Sequence, residues 1–353
     1  MPQWKFSDGS ILPGSNDTMN DFANVRVSHS VLHPDWIAAE AARHYPLNGA
    51  VTAYLLYRGM NDVYLIKDRE TRYAMRVWRR GWRDVDVVKV ELDFLDYLRR
   101  RDFPASTPLR TRSGELYFKV GSPEGERAVA MYSWAPGQKF GEALDERTAE
   151  RIGAMLAQMH LLGLEYLGDR QPSTDDAVSF TVSLQPLLEF LHDRPEDAVY
   201  YEKLAPRIVE RLEQVPHETV PLGLCHRDFH PANVHVDESG GITFLDFDGT
   251  GQDFFMQDVK NFTFGNLFFD FPAVYGEAFE RGYAAVRPFT AEELEHSELF
   301  LLAKAFRLIS GMAHASVAVG RGALRFRNLD WFSAYIRARA RNLGLQDRLH
   351  STK

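Results

Sequence analysis

The stretch LCHRDFHPANVHVDESGGITFLDFDGTGQDFFMQDV, residues 224–259, is the most informative part of this sequence. Two short apolar-alternating runs, NVHVD and ITFLDF, flank the turn-forming residues ESGG. This order predicts a β-hairpin. The runs around the hairpin are rich in side chains that carry negative charge or coordinate metals. The stretch therefore predicts a hairpin that supports a polar site.

Seven acidic side chains lie within this one stretch, and five of them flank the two strand-like runs: Asp228, Asp246, Asp248, Asp253 and Asp258. Neighbouring carboxylates repel one another unless a cation or a charged partner compensates them. Carboxylate and amide oxygens together are the hard ligands that suit Mg²⁺, and Asn233 offers such an amide. The cluster thus predicts a divalent-metal site. A zinc cluster of His226, His230 and His235 is the less favoured alternative, because their spacing lacks a second ligand pair.

Residues 226–233, HRDFHPAN, resemble the H-x-D-x-x-x-x-N catalytic loop of the protein-kinase-like superfamily. Asp246 then stands where that superfamily carries its second metal-binding aspartate. The run LDFDGTGQDFFMQD, residues 245–258, resembles the aminoglycoside-phosphotransferase group. HSVLHPDWI, MQDV and FRLIS are similar to the homoserine-kinase-II and stress-response-kinase branch of that group.

The resemblance implies roles for several residues of the stretch and for Arg307 later in the chain. Asp228 is the expected catalytic base, and Asn233 and Asp246 are the expected Mg²⁺ ligands. The residues expected to support the loop or to contact substrate are His226, His230, Asp248, Asp253, Asp258 and Arg307. Asp248 is left open between metal and substrate, and His230 between substrate contact and loop packing.

The segment before this stretch predicts a small β-rich lobe. Residues 51–79 form three runs rich in Val, Tyr and Ile, separated by turn-like residues, and two more such runs lie at 115–134. Apolar residues recur at helical spacing between residues 85 and 101. By resemblance, Arg76 on the third strand and Glu91 on the helix form the phosphate-anchoring pair. Met131 and Ser133 then lie where the family binds adenine through backbone groups.

The predicted fold class is α+β, with a bilobal protein-kinase-like architecture. A five-stranded antiparallel sheet plus one helix makes up the N-lobe, and the C-lobe is mainly helical and carries the catalytic β-hairpin. The predicted divisions are 1–45 for an N-terminal arm with a short helix, 46–135 for the nucleotide-binding N-lobe and 136–353 for the C-lobe.

Composition excludes several other classes of protein. The chain has 353 residues, with 41 basic and 49 acidic side chains and a formal net charge of −8. This balance argues against nucleic acid or an anionic membrane as a partner. The single cysteine, Cys225, excludes an intrachain disulfide, and no apolar leader or spanning segment is evident, so a cytoplasmic protein is expected.

The expected activity is transfer of the γ-phosphate of ATP, with Mg²⁺, to a hydroxyl of a small molecule such as an amino acid, amino alcohol, sugar or aminoglycoside-like compound. Asp248 and Asp253 suggest an acceptor that carries an amine. A bacterial stress-response-type protein Ser/Thr kinase and a nucleotide-binding scaffold without turnover are the alternatives. The oligomeric state is left open.

Overall fold

The structure is a computed structural model that describes residues 27–83, 85–142, 145–170, 184–319 and 327–345. Its N-lobe begins with helix α1 (Pro34–His44), and helix α2 (Val85–Arg100) follows the third strand. The N-lobe strands are β1 (Thr52–Arg58), β2 (Asn61–Lys67), β3 (Arg72–Trp78), β4 (Phe118–Ser122) and β5 (Gly125–Ser133). They form one antiparallel sheet in the order β1-β2-β3-β5-β4, which confirms the predicted N-lobe.

Alternation along β3 gives the sheet two different faces. Met75 and Val77 pack into a buried cluster with α1, whereas Ala74 and Trp78 pack into the larger core on the side of α2. Because successive side chains of a strand point to opposite faces, Arg76 shares the α2 side with Trp78. The alternation along β3 thus directs the Arg76 guanidinium toward α2.

Helix α1 belongs to the core of the N-lobe. Ile37, Ala41 and Tyr45 lie in the same buried cluster as Tyr64 and Val129 of the sheet. The predicted division after residue 45 separates this helix from the strands that it covers. Of the predicted division 1–45, residues 1–26 lie outside the described residues.

The remaining described elements form the C-lobe. Its helices are α3 (Glu146–Glu165), α4 (Pro195–Glu213), α5 (Phe255–Phe268), α6 (Ala273–Val286), α7 (Ala291–Glu295), α8 (Ser297–Val319) and α9 (Leu329–Asn342), with a further helical segment at 184–190. Its short strands are β6 (Gln138–Lys139), β7 (Leu222–Cys225), β8 (Val234–Val236), β9 (Ile242–Phe244) and β10 (Gly251–Phe254). Among the described residues, no helix is both long enough and apolar enough to cross a membrane.

The predicted hairpin is present as β8 and β9, and two further pairings accompany it. Strand β6 adds to the edge of β8, and β7 pairs with β10 in a separate antiparallel sheet. Sequence reasoning missed the β7–β10 sheet, because strands this short have no readable alternation. This second sheet brings both ends of the 224–259 stretch together, with Cys225 opposite Gly251.

Cys225 and the phenylalanines that follow the hairpin belong to the interior of the C-lobe. Cys225 is completely buried, and burial raises the pKa of its thiol well above the ordinary value. Most phenylalanines of the region 254–289 are buried in the C-lobe core: Phe254, Phe255, Phe262, Phe264, Phe268 and Phe279.

Helices α3 and α6 pack with direct backbone contact at two glycines. A Cβ atom on Gly153 would lie 1.9 Å from the Phe279 carbonyl oxygen, and one on Gly282 would lie 1.8 Å from that of Glu150. Neither site has room for a side chain. Since α3 carries His160 and α6 carries Tyr283, this close packing also positions those two side chains relative to each other.

Replacing Gly282 with alanine is expected to lower the free energy of unfolding by about 2–3 kcal/mol, because the new methyl group must push two helix backbones apart. Urea denaturation followed by circular dichroism measures this change. Gly276→Ala on the same helix is the matched control, since the nearest atom to its Cβ would be Thr263 Cγ2 at 3.7 Å. Equal stability of the two variants would contradict the close packing.

Candidate active site

The loop between β7 and β8, residues 226–233, is held at its start by one buried carboxylate. Asp258 Oδ2 accepts a hydrogen bond from the His226 backbone N–H at 2.6 Å, and Oδ1 accepts one from the Arg227 N–H at 2.7 Å. His160 Nε2 lies 3.2 Å from Oδ2, and Tyr283 Oη lies 2.7 Å from His160 Nδ1. The first turn of α5 is therefore tied both to the loop and to the α3–α6 pair.

Two residues of the site have left-handed backbone conformations. Arg227 has φ = 64° and Asp246 has φ = 59°. Such angles are uncommon for residues other than glycine and persist where surrounding contacts enforce them. The His226 ring supplies one such contact, since its Nε2 donates to the Leu245 carbonyl oxygen at 2.7 Å. The loop and the turn after β9 thus constrain each other.

Asp228 lies in the loop with its two carboxylate oxygens in different surroundings. Lys304 Nζ of α8 donates to Oδ1 at 2.8 Å, and His230 Nε2 lies 3.6 Å from Oδ2. The side chain of Asp228 is 47% exposed. Burial opposes its negative charge, but the Lys304 ammonium and the His230 ring outweigh burial and hold the pKa of this carboxyl well below its ordinary value. The group is therefore a carboxylate at neutral pH.

Asn233 directly precedes β8 and Asp246 follows β9, so both lie at the same end of the hairpin. The Leu245 N–H donates to the Asn233 carbonyl oxygen at 2.9 Å, which places Asp246 one residue beyond this bond. The Asn233 amide nitrogen donates to the Asp228 carbonyl oxygen at 2.9 Å. The amide oxygen of Asn233 therefore points away from that carbonyl. The side chain of Asp246 is 51% exposed. This donor set, an amide oxygen and an accessible carboxylate, fits a hard cation such as Mg²⁺.

Arg76 lies between the N-lobe helix and the hairpin. Its Nη1 donates to Glu91 Oε1 at 2.9 Å, and its Nη2 donates to Asp246 Oδ1 at 2.7 Å. Tyr132 Oη donates to the same Glu91 oxygen at 3.1 Å. Burial disfavours the guanidinium charge, but the carboxylates of Asp246 and Glu91 hold the pKa of Arg76 well above its ordinary value. The predicted pair of Arg76 and Glu91 thus meets in space and extends to Asp246.

Asp248 has its partners in the N-lobe. Its carboxylate accepts hydrogen bonds from Trp78 Nε1 at 3.2 Å, Trp82 Nε1 at 3.3 Å and Asn61 Nδ2 at 3.3 Å. These donors come from β2, from β3 and from the turn after β3. Asp248 therefore links the turn after β9 to the N-lobe sheet, an arrangement that the sequence did not indicate.

Asp253 is buried and also has partners within the protein. Its Oδ2 accepts from Arg227 Nε at 3.2 Å, and its Oδ1 accepts from the Phe254 N–H at 2.8 Å. The amine-carrying acceptor suggested from Asp248 and Asp253 stays a prediction, and both carboxylates have hydrogen-bond partners within the protein.

The backbone groups of Met131 and Ser133 are engaged with a neighbouring segment. The Met131 N–H donates to Tyr45 Oη at 3.1 Å, and its carbonyl accepts from the Leu109 N–H at 2.7 Å. The Ser133 N–H donates to the Thr107 carbonyl at 2.9 Å. The two residues lie at the connection between the lobes, but these bonds use the groups that the resemblance assigned to adenine.

Arg307 of α8 is connected to the loop at residues 226–233 by a series of hydrogen bonds. Its Nη1 donates to Gln257 Oε1 at 2.9 Å, and Gln257 Nε2 donates to Asn261 Oδ1 at 3.0 Å. Asn261 Nδ2 in turn donates to the Arg227 carbonyl oxygen at 2.9 Å. This chain of bonds connects α8 through α5 to the loop.

Lys304 is the member of the site that sequence reasoning missed. It lies one helical turn before Arg307, in the run LLAKAF of α8, where the flanking side chains are apolar and buried. A lone lysine among buried apolar residues is rare unless it is paired. That pattern was the available signal, and only the fold brings its partner, Asp228, to the same place.

The family model described as "Phosphotransferase enzyme family" matches residues 59–295, which is more than half of the chain. The chain belongs to this family. It is therefore a phosphotransferase whose acceptor group is an alcohol, as the resemblance of residues 226–258 predicted.

Characterised and uncharacterised relatives share most of the chain. An uncharacterized protein of Synechocystis sp. is 28% identical over 75% of this chain and 74% of its own length. The amicoumacin kinase of Bacillus subtilis is 24% identical, covering 68% of this chain and 70% of its own. A homoserine kinase of Paraburkholderia xenovorans is 25% identical, covering 76% of this chain and 82% of its own.

Solved structures share the kinase-like fold. Amicoumacin kinase hAmiN, in complex with AMP-PNP, Ca²⁺ and Ami, superposes with a TM-score of 0.68 at 19% identity, over 90% of this chain and 95% of its own. A microcompartment-associated aminopropanol kinase superposes with a TM-score of 0.59 at 21% identity, over 89% of this chain and 97% of its own. These similarities confirm the predicted fold class.

Replacing Asp258 with asparagine is expected to lower the free energy of unfolding by about 2–3 kcal/mol, because a charged acceptor of two backbone N–H groups becomes an amide that accepts through one oxygen only. Urea denaturation measures the loss. Asp270→Asn is the control, since this side chain is 86% exposed in its pair with Arg327 and surface pairs contribute about 0–1 kcal/mol. A loss no larger at Asp258 than at Asp270 would show that the carboxylate is not the brace.

Proposed function

We propose that this phosphotransferase moves the γ-phosphoryl group of ATP to a hydroxyl of a small molecule, with Asp228 as the catalytic base. The observation that carries the proposal is the position of the Asp228 carboxylate. It is ionised, half-exposed and held in the same loop as Asn233, whose backbone carbonyl accepts the Leu245 N–H next to Asp246. The activity requires a group that orients the attacking hydroxyl beside groups that hold the nucleotide phosphates.

The low pKa of Asp228 limits what the base does. A strongly ionised carboxylate is a poor acceptor for the proton of a free alcohol, so it orients the hydroxyl by hydrogen bonding and takes the proton late, as the bond to phosphorus forms. Most of the rate gain in phosphoryl transfer comes from positioning and charge neutralisation, and these demand little basicity.

Asn233 and Asp246 are proposed to hold Mg²⁺, which neutralises phosphate charge when it is bound. Arg76 is proposed to contact phosphate oxygens, because its planar guanidinium can donate two parallel hydrogen bonds and stays charged. Glu91 and Tyr132 keep that guanidinium in place. Asp258 and His226 are proposed to brace the loop through the backbone bonds described above.

The acceptor is proposed to be a small molecule. The amicoumacin, homoserine and aminopropanol kinases among the relatives and structural neighbours are all named for small acceptors. ATP-dependent release of ADP across a panel of amino acids, amino alcohols and sugars tests this proposal. Autophosphorylation with labelled ATP and no response to any small hydroxyl compound would instead favour the protein-kinase alternative.

Asp228→Asn is expected to lower kcat about 10²- to 10⁴-fold, because the amide cannot take the hydroxyl proton. Nucleotide affinity should stay within about threefold, since Asp228 is not proposed to contact the nucleotide. Steady-state ADP release and isothermal titration with AMP-PNP measure the two quantities, with Asp270→Asn as the unaffected control. Retained turnover in Asp228→Asn would exclude Asp228 as the base, and a wild type that binds ATP without consuming it would favour the scaffold alternative.

Asp246→Asn is expected to weaken Mg²⁺-dependent binding of AMP-PNP at least about tenfold, because a neutral amide is a poorer ligand for a hard divalent cation. Binding measured in EDTA should change far less, since the protein contacts to the phosphates remain. An equal loss with and without Mg²⁺ would argue against a metal-ligand role for Asp246.

A further inference from the structure

We propose that Lys304 is a positioning residue that fixes the orientation of the Asp228 carboxylate. Its ammonium holds Oδ1 and thereby leaves Oδ2 to receive the hydroxyl of the acceptor. The inference rests on the proposed function, because it assigns to Lys304 an action through the proposed base.

Lys304 lies among buried apolar residues of α8, where its ammonium group is unfavourable without a partner. The residue is 8% exposed, and its neighbours Ala303 and Ala305 are completely buried. A buried ammonium is strongly unfavourable unless it is paired and hydrogen-bonded. The pairing is the 2.8 Å bond to Asp228 Oδ1.

The two oxygens of Asp228 differ because of this bond. Oδ1 is bound to the ammonium, whereas the partner of Oδ2 in the described ion pairs is His230 Nε2 at 3.6 Å, beyond ordinary hydrogen-bonding distance. The terminal torsion of an aspartate is broad, so an unrestrained carboxylate turns easily about this bond. The Lys304 bond restrains that torsion and so fixes where the second oxygen lies.

Hydrogen bonds fix the part of α8 that carries Lys304. One turn further along α8, Arg307 donates to Gln257, and the bonds through Asn261 continue to the carbonyl of Arg227 in the catalytic loop. The base and the lysine that orients it are thus attached to the same network. An error of about 1 Å in the position of a catalytic group can cost about 10²-fold in rate, so this rigidity has a direct use.

The test compares Lys304→Met and Lys304→Arg in the full chain. The probes are L-homoserine and 1-amino-2-propanol as hydroxyl acceptors, with ADP release to water as an acceptor-independent arm. We expect Lys304→Met to lower kcat about 30- to 100-fold with the KM for ATP within about twofold. Lys304→Arg should recover at least a third of the lost factor on a logarithmic scale, because it restores a donor to Oδ1.

The decisive measurement is a double-mutant cycle. If Lys304 acts through Asp228, then Lys304→Met should change the residual rate of Asp228→Asn by less than about twofold. A further large loss in that background would overturn the inference, because it would mean that Lys304 contacts the acceptor or the phosphoryl group directly. An unchanged kcat in Lys304→Met alone would also overturn it.

Lys260→Met is the matched control for loss of a buried, ion-paired lysine. Lys260 is buried on α5 and donates to Glu280 Oε1 at 2.7 Å, away from Asp228. Its substitution should leave kcat within about threefold, and urea denaturation of all variants separates unfolding from loss of rate. Equal kcat losses in Lys260→Met and Lys304→Met would contradict the positioning role.

Absence of ADP in every wild-type arm would contradict the proposed function together with the inference. Wild-type turnover with an unaffected Lys304→Met would contradict the inference alone.

Discussion

A single buried carboxylate, Asp258, holds the start of the loop at residues 226–233 in place. It accepts the backbone N–H groups of His226 and Arg227, the second of which has a left-handed backbone. A buried negative charge is tolerable only where hydrogen-bond donors surround it, and here those donors belong to the segment that must be positioned. His160 and Tyr283 extend the same network into the α3–α6 pair, so the close helix packing at the two glycines supports the site from below.

The turn after β9 is shared between the two lobes. Arg76 of β3 binds Asp246, and Trp78 and Trp82 bind Asp248. The ring of Trp82 also lies 5.7 Å from that of His314 on α8, which adds an apolar contact to the charged ones. Two of these contact residues, Arg76 and Asp246, are also proposed to bind the nucleotide phosphates or the metal ion. This coupling explains why neither lobe is expected to work as an independent unit.

The charges near Asp228 differ from those that the acidic composition of residues 224–259 suggested. Asp248 and Asp253 are engaged by donors of the protein, and the side chain that reaches Asp228 is the cation Lys304. Part of the surplus of carboxylates therefore braces the protein internally.

The sequence by itself determined the lobes, the hairpin and the residues proposed as base and metal ligands. Those features depend on short-range order: strand alternation, helical spacing, and a fixed separation between Asp228, Asn233 and Asp246 along one continuous stretch. Tertiary structure alone decided that Arg76 reaches Asp246, that Asp248 belongs to the N-lobe contacts, and that Lys304 reaches Asp228 from 76 residues away. The β7–β10 sheet and the engaged backbone of Met131 and Ser133 also depended on it. The physical reason is that a partner far along the chain leaves no local pattern, since its position is set by how whole helices and strands pack.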